Sequence, residues 1–302
     1  MSAPAGSRNR PGSLSGRIAL APYTVWAALF ILVPLVFIAY YAFTDNDFRF
    51  TLDNITKFFT ATSSLTRADG TAKEVHTYLV IFWRSVKLAV ISTAICLVLG
   101  YPVAYIIAHA RPRAQKIMIT LIMIPMWMNF LIRTYSWITI LSNTGLINTF
   151  LQKIGLIDKP IKLLLTPGAV ILGMVYDYIP YMILPIYSVM SKLDKSLLEA
   201  AEDLGSNSFT KFKRVIFPLT KPGVISGITM VFVPSVSTFY ISQKLGGTKT
   251  MLIGDTIEYF FNSGPEHYNI ASAISMVLMV MILICLFIMN RFSDSDDGGV
   301  LM

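Results

Sequence analysis

Residues 199–218 have the sequence EAAEDLGSNSFTKFKRVIFP, a charged segment that separates two long apolar runs. Shortly before it, Asp194 is placed to N-cap a short helix, because its carboxylate can accept hydrogen bonds from the free amides of the first turn. Gly205 is expected to end this helix, since glycine adopts the left-handed conformation needed after a helix C-terminus. Asn207 or Ser208 can then cap a second helix, so the pattern predicts two short helices joined at a glycine.

These two predicted helices form a compact knob. Pro218 is expected to stop the second helix, because proline lacks the amide hydrogen that a helix interior needs. Ala200 and Ala201 have small side chains, so the first helix can approach closely and fit into a groove of a partner protein. The alternative is an ordinary solvated loop with helical propensity. The position between two apolar runs favours docking over that alternative.

The spacing of this segment resembles the EAA loop of ATP-driven bacterial importers. In that family EAA is followed after three residues by glycine, and after nine more residues by Ile-x-Leu-Pro. Here residues 199–201 are EAA, the glycine is Gly205, and residues 215–218 are VIFP, with Val for Ile and Phe for Leu. Both changes keep the apolar character. The resemblance implies that the chain is coupled to an ATPase through Glu199, Ala200, Ala201, Gly205 and Pro218.

The composition predicts an all-α, polytopic membrane protein. Apolar residues make up 54% of the 302 residues and charged residues 14%, and the apolar runs reach the roughly 20 residues that span a bilayer. The first run is longer than the apolar region of a cleaved signal peptide, so we interpret it as a retained span. The sequence predicts a six-helix permease domain at 18–290, with spans at about 18–44, 88–108, 117–141, 167–190, 222–243 and 268–290, a cytoplasmic EAA coupling loop at 192–221, a disordered cytoplasmic tail at 1–17 and an acidic cytoplasmic tail at 291–302.

The basic residues predict that both termini lie in the cytoplasm. The net charge is +8, and the basic residues flank apolar runs, which fits the positive-inside rule and contact with anionic lipid rather than nucleic-acid binding. Three arginines precede the first span, and the short loop at 109–116 is also basic. Prolines within the spans require neighbouring helices to satisfy the freed carbonyls, so a packed bundle is expected. These prolines are Pro34, Pro102, Pro125, Pro180, Pro185 and Pro234.

The sequence contains no catalytic constellation. Residues 246–250 (GGTKT) resemble a phosphate loop, but that loop needs a glycine directly before the lysine and another five positions before that. Those positions hold Thr248 and Gln243, so we expect neither enzyme activity nor ATP binding by the chain itself. The two cysteines and three histidines are scattered, which predicts no metal site and no cofactor. ATP and Mg are expected to bind a separate ATPase subunit.

Two polar stripes run through the third and fourth predicted spans. Asn129, Arg133 and Trp137 recur every four residues in the third, and Asp177 and Tyr181 share a face of the fourth. From the helical rise, Arg133 and Asp177 differ in depth by roughly 9 Å, which an arginine side chain nearly bridges. One interpretation is therefore an ion pair, and the other is contact between Asp177 and a travelling solute. We narrowly favour the solute, because Tyr181 lies one turn away and an aromatic face attracts a cation.

Aromatic and acidic residues supply the other candidates for a substrate path. Asp255 and Glu258 lie three apart, on one face if residues 252–261 are helical, although we slightly favour the alternative, exposure on an external loop. The aromatic residues have an alternative role as well, since Trp and Tyr gather at membrane interfaces. The candidate path residues are Trp127, Asn129, Tyr135, Trp137, Asp177, Tyr181, Asp255 and Glu258, with Arg133 as the candidate charge partner.

Three further stretches resemble the membrane subunits of spermidine/putrescine importers, the PotB type. They are residues 125–135 (PMWMNFLIRTY), 173–176 (GMVY) and 252–255 (LIGD). This resemblance implies a type I ABC importer permease fold in the bacterial inner membrane, with a polyamine as the solute. Related permeases for iron, sulfate, molybdate or opines share the layout and stand as alternatives.

The same resemblance implies the partners. They are a second, different permease, two copies of an ATPase, an external substrate-binding protein and membrane lipid. An ion-coupled secondary transporter is the rival from another class. Such transporters often consist of two repeated halves, and no internal repeat is visible in this sequence.

Overall fold

The computed structural model describes residues 14–66, 72–247 and 250–297, and nearly all of them are helical. The predicted all-α fold is therefore confirmed, with one addition, an antiparallel hairpin of β1 (Thr62–Thr66) and β2 (Ala72–His76). The helices are α1 (Leu14–Ala27), α2 (Val33–Ala42), α3 (Asp53–Thr60), α4 (Thr77–His109), α5 (Pro112–Trp127), α6 (Phe130–Leu141), α7 (Leu146–Lys153), α8 (Pro167–Met190), α9 (Lys195–Asp203), α10 (Ser208–Lys211), α11 (Phe217–Ser237), α12 (Ile253–Asn262) and α13 (Tyr268–Asp297).

The predicted tails fall mostly outside the described residues. Residues 1–13 and 298–302 lie outside the described residues, so their disorder stays a prediction. The described parts of the predicted tails are helical instead, because α1 begins at Leu14 and α13 continues to Asp297. No glycine or proline interrupts the sequence between Tyr268 and Asp297, and the next residue is Gly298, which explains why the last helix extends beyond its apolar part.

Within the described residues, five helical segments are long and apolar enough to cross a membrane. They are Ala21–Ala42, Thr77–His109, Pro167–Met190, Ser208–Ser237 and Pro265–Arg291. The number rises to the predicted six if a bent pair, Pro112–Trp127 with Phe130–Lys153, counts as one span. The second span starts at Thr77 rather than 88, because Tyr78 and Phe82 at its beginning pack against Phe58 of α3.

The third predicted span, 117–141, is not one straight helix. Helix α5 meets the segment Phe130–Lys153, which begins with α6, at an angle of 90°. Met128 and Asn129 have extended backbone between them, and the Asn129 side chain accepts a hydrogen bond from the Leu131 amide at 2.8 Å. The asparagine therefore N-caps a new helix, which gives the physical reason for the break.

Helices α4, α8 and α11 pack against one another at the centre of the bundle. Glycines allow α8 and α11 to approach closely: a Cβ at Gly227 would lie 2.8 Å from the Met182 sulfur, and one at Gly223 would lie 3.0 Å from the Pro185 carbonyl oxygen. Small residues of this kind allow close helix packing within lipid. The packing fixes α8, on which Asp177 lies.

A π-helical turn, Ser242–Gly246, follows α11 and packs against α8. A Cβ at Gly173 of α8 would lie 2.5 Å from Leu245 Cδ1 and 2.9 Å from Ile241 Cγ2, so a larger residue would displace the turn. Leu245 and Ile241 are both fully buried. The predicted fifth span, 222–243, ends earlier, at Ser237, because Thr238 has extended backbone.

Two other π-helical turns, Ala28–Leu32 and Phe212–Ile216, each directly precede a helix whose second residue is proline. The prolines are Pro34 in α2 and Pro218 in α11. The prediction that Pro218 stops a helix is wrong, because the chain stays helical across Ser208–Ser237. Proline lacks an amide hydrogen and crowds the carbonyl four residues earlier, and a wider turn before it relieves both problems.

Candidate functional site

The coupling segment folds as two short helices joined at Gly205, which has a φ of +75°. Asp194 Oδ1 accepts a hydrogen bond from the Ser196 amide at 3.0 Å, and Asn207 Oδ1 accepts one from the Thr210 amide at 2.8 Å. The hydrogen bond from Ser196 also holds the pKa of the Asp194 carboxyl below its ordinary value. The predicted caps of α9 and α10 are thus confirmed.

Gly205 completes a Schellman motif at the end of α9. Its amide donates to the Glu202 carbonyl at 2.8 Å, and the Ser206 amide donates to the Ala201 carbonyl at 3.0 Å. An ion pair between Lys211 of α10 and Glu202 of α9 crosses the joint. The two helices, which we call the coupling unit (residues 194–211), are therefore held in one arrangement.

The outer surface of the coupling unit carries large apolar side chains. Leu204 is 86% exposed and Phe209 is 72% exposed, on either side of the glycine joint. Of the two predicted surface alanines, Ala200 is exposed, whereas Ala201 is buried. Exposed apolar residues close together on a polar segment are typical of a protein contact.

Glu199 lines a cavity of about 450 Å³ between the coupling unit and the junction of α4 with α5. His109 and Gln115 line the cavity from that junction, and Lys211 lines it from α10. Glu199 therefore faces the ends of α4 and α5 across this cavity.

Arg133 of α6 and Asp177 of α8 form an ion pair, with 3.1 Å between Arg133 Nη1 and Asp177 Oδ1. Their side chains are only 11% and 6% exposed. The structure thus contains the pair that the sequence offered as one of two interpretations. Among the described residues, however, Asp177 Oδ1 and Arg133 Nε form no hydrogen bond. A buried carboxylate oxygen without a hydrogen bond retains the capacity to accept another donor.

The other members of the two stripes have separate roles. Asn129 is the N-cap of α6, and Trp137 contacts Tyr176 edge-on, with 5.3 Å between ring centroids. The stripe on α6 therefore consists of a cap, an ion pair and an aromatic contact at successive turns. The remaining predicted aromatic residues, Trp127, Tyr135 and Tyr181, have exposed side chains.

Asp255 lies inside the fold, which corrects the expected exposure on a loop. Its side chain is 2% exposed. Asp255 Oδ2 accepts a hydrogen bond from the Leu252 amide at 2.7 Å, and its Oδ1 lies 2.9 Å from the Ser242 hydroxyl. The carboxyl group therefore caps α12 and joins it to the π-helical turn Ser242–Gly246, which leaves no free oxygen for a solute.

The hydrogen bonds around Asp255 are all satisfied when Asp255 carries a proton. The Ser242 hydroxyl lies close to both Asp255 Oδ1 and the Phe239 carbonyl oxygen (2.8 Å), but it has one hydrogen to donate. A protonated Asp255 donates to Ser242, which then donates to Phe239. Consistent with this, burial raises the pKa of Asp255 to about 7 and outweighs the hydrogen bonds that lower it; α12 is not one of the candidate spans.

We predict that Asp255→Asn removes a pH-dependent contribution to folding stability. The folded pKa lies above the unfolded value of about 4, so the stabilisation is full below about pH 4 and is lost as the pH rises to about 7, at roughly 1.4 kcal/mol per pH unit. The substituted asparagine would be neutral at every pH, accept from Leu252 and donate to Ser242. Thermal unfolding of the purified protein between about pH 5 and 7.5 should therefore show a smaller decline in the variant. The exposed Asp158→Asn is the control, and an unchanged decline in Asp255→Asn would contradict the assignment.

Glu258, the second predicted acidic residue on α12, is half-buried and bound by neutral groups. It accepts hydrogen bonds from Gln243 Nε2 at 2.5 Å and from Asn262 Nδ2 at 2.9 Å. Across residues 14–66, 72–247 and 250–297, no cationic side chain pairs with it. The predicted spacing of Asp255 and Glu258 on one helix is confirmed, but their environments differ.

Sequence reasoning missed a contact between Lys244 and two tyrosines. Lys244 Nζ lies 5.7 Å from the ring centre of Tyr240 and 6.0 Å from that of Tyr135. Only Tyr135 was among the predicted path residues. Tyr240 and Lys244 lie four positions apart, a spacing that can bring side chains together on a helix, but no local pattern indicates the contact with Tyr135, which lies more than a hundred positions away.

Comparison with known proteins gives a family and similar relatives. Residues 97–295 match the family described as Binding-protein-dependent transport system inner membrane component. The spermidine/putrescine transport system permease protein PotB of Haemophilus influenzae is 36% identical over 281 residues, which is 91% of this chain and 93% of that protein. PotB of Escherichia coli strain K12 is also 36% identical, over 87% of this chain and 92% of that protein.

Solved structures agree on the fold. A bacterial ABC transporter that imports the acidic polysaccharide alginate contains a chain that matches with a TM-score of 0.75 at 16% identity, covering 92% of this chain and 94% of its own. The MetNI methionine ABC transporter matches with a TM-score of 0.55 at 15% identity, covering 72% of this chain and 95% of its own. The chain belongs to the family of binding-protein-dependent transport system inner membrane components, as an ABC importer permease subunit similar to PotB.

Proposed function

We propose that this chain forms half of a membrane path for a polyamine, spermidine or putrescine, and that a separate ATPase drives the transport. The observation that carries the substrate is the 36% identity, over 91% of the chain, to a permease named for spermidine/putrescine transport. Both chains are similar along almost their full length, which favours a shared solute over a shared fold alone.

The charges within the bundle support a cationic solute. A polyamine carries several ammonium groups, and carboxylates and aromatic faces are the groups that attract them. Asp177 is a buried carboxylate whose Oδ1 still has hydrogen-bonding capacity. Arg133 neutralises Asp177 while the path is empty, and a substrate ammonium group takes over when it arrives. The pair and the solute contact are then two states of one site.

Other predicted residues complete this path. The carboxylate of Glu258 has no cationic partner in the described part of the chain. Trp127, Tyr135 and Tyr181 present exposed aromatic side chains over which an ammonium group can pass. Asp255 is not part of this proposal, because both of its oxygens are used within the fold.

The coupling unit is where this chain would receive energy from ATP. Leu204 and Phe209 bind in a groove of the ATPase. When the ATPase moves, Glu199 transmits this movement across the cavity to the ends of α4 and α5. The complex contains a second, different permease, two ATPase copies that bind ATP and Mg, and an external binding protein. This chain is not itself an enzyme, and both of its termini lie in the cytoplasm.

Deleting the gene should abolish uptake of labelled spermidine or putrescine and leave sulfate and molybdate uptake intact. The physical reason is the negative charge of the carboxylates that we propose along the path, which attract a cation. Uptake is measured in cells and restored by the wild-type chain, but not when the partner ATPase is inactive. Loss of sulfate or molybdate uptake with polyamine uptake retained would show that the substrate assignment is wrong.

A further inference from the structure

Two tyrosine rings hold one ammonium group at the edge of the bundle. The group is Lys244 Nζ, at 5.7 Å from the centre of Tyr240 and 6.0 Å from the centre of Tyr135. The faces of aromatic rings attract cations at this distance. Within the part of the chain that the structure describes, no carboxylate lies within ion-pair distance of Lys244, so the rings are the groups that stabilise its charge.

The Tyr240 ring is held in place independently of the lysine. Tyr240 packs against Phe130 of α6, with 5.1 Å between ring centroids. Tyr135 also lies on α6, and its side chain is exposed, so the pair of rings opens to the outside of this chain. The rings therefore form a preformed site that another cation can reach.

The backbone of Lys244 is also fixed, while its side chain is free to move. The π-helical turn Ser242–Gly246 is held by its buried Leu245, which packs against Gly173, and by the contact of Ser242 with Asp255. π-Helical turns often occur at functional sites. Four methylene groups separate the anchored backbone from the ammonium group, so Lys244 can leave the rings without disturbing the turn.

We propose that Tyr135 and Tyr240 form a binding site for an ammonium group of the substrate, and that Lys244 occupies this site while the substrate is absent. The inference rests on the proposed function, because it names a polyamine as the ligand. The chemical match is close: the lysine side chain is a four-carbon alkylammonium, and putrescine is a four-carbon chain with an ammonium group at each end.

A resident lysine of this kind affects transport in two ways. It keeps the aromatic site filled by a cation that cannot be transported, so the rings are not left open to other solutes. It also weakens substrate binding, because the substrate ammonium must displace Lys244. Once displaced, Lys244 repels the bound ammonium and favours its release, which suits a path that must let its cargo leave.

The test is equilibrium binding of labelled spermidine to the purified complex of permeases and ATPase, without the external binding protein. Lys244→Met keeps the length and apolar stem of the side chain but removes its charge. The Kd should fall about 3- to 10-fold, as the loss of a competing cation–π contact predicts. Lys159→Met, which removes a positive charge from an exposed position in the segment between α7 and α8, should leave the Kd unchanged. Adding Tyr240→Leu to Lys244→Met should raise the Kd again.

An unchanged or higher Kd in Lys244→Met overturns the proposal, as does a double variant that binds as tightly as Lys244→Met alone. Spermidine uptake by the wild-type complex in proteoliposomes, with the binding protein present, is measured separately. If the wild-type complex takes up spermidine but the Kd of Lys244→Met is unchanged, only the proposed ammonium site is overturned, and the proposed function stands. Absence of wild-type uptake overturns the proposed function and this inference together.

Discussion

Gly205→Leu is expected to reduce ATP-driven uptake about tenfold, because a residue other than glycine costs roughly 1–2 kcal/mol in the left-handed conformation that Gly205 adopts. A steric clash is not the cause, since a Cβ at this position would meet no atom within 4 Å. The strain lies in the backbone, where it opposes the Schellman hydrogen bonds that join α9 to α10. We expect the ATPase to copurify poorly with the variant, or to hydrolyse ATP without transport.

The chain contains a matched control for this prediction. Gly155 follows α7 and has a φ of +72°, and a Cβ there would likewise meet no atom within 4 Å. It forms the same hydrogen-bond pattern, from the Gly155 amide to Gln152 and from the Leu156 amide to Leu151, both at 3.0 Å. Gly155→Leu therefore imposes equal strain away from the coupling unit, and uptake should remain near wild type.

A second control separates conformation from side-chain size. Gly205→Asn should retain most of the uptake, because asparagine tolerates the left-handed region better than leucine does. Equal losses in Gly205→Leu and Gly155→Leu would mean that general folding, and not coupling, is affected. Normal uptake by Gly205→Leu would show that Gly205 is not needed for coupling to the ATPase.

The coupling unit was predictable because its structure is set by neighbouring residues. Asp194, Gly205 and Asn207 each act within four residues of their own position, through caps and a left-handed turn. Pro218 was the exception. Its effect depends on the π-helical turn before it, and the spacing of apolar residues does not distinguish such a turn from a regular helix.

The candidate transport site was only partly predictable, because its contacts join distant parts of the chain. Depth and charge offered the pairing of Arg133 with Asp177 as one of two interpretations, whereas the break at Asn129 was hidden by a regular spacing of polar residues on both sides of it. Asp255 looked like a surface residue, since its partner Ser242 comes from another segment. Contacts of this kind follow from tertiary packing, which periodicity in a sequence does not contain.

The largest effect on the bundle itself is expected from Asp177→Asn. This change leaves the Arg133 guanidinium buried without its counter-charge, at a cost on the order of 3–5 kcal/mol, because the lost partner no longer offsets the desolvation of the charge. The variant should therefore show lower abundance in the membrane and a lower melting temperature in detergent. Asp255→Asn is the matched control, since that buried carboxylate has no cationic partner in the described residues and should tolerate the change.

Adding Arg133→Gln to Asp177→Asn separates the structural role of the pair from its role in transport. With both charges removed, most of the lost stability should return, and the difference between the single and double variants measures the coupling of the two residues. If Asp177 also receives the substrate, as we propose, the stable double variant should still fail to take up polyamine, because the carboxylate is missing. A stable double variant with full uptake would leave the ion pair a purely structural feature. A single variant that is already stable and transports normally would contradict both roles, because neither the counter-charge nor the substrate contact would then matter.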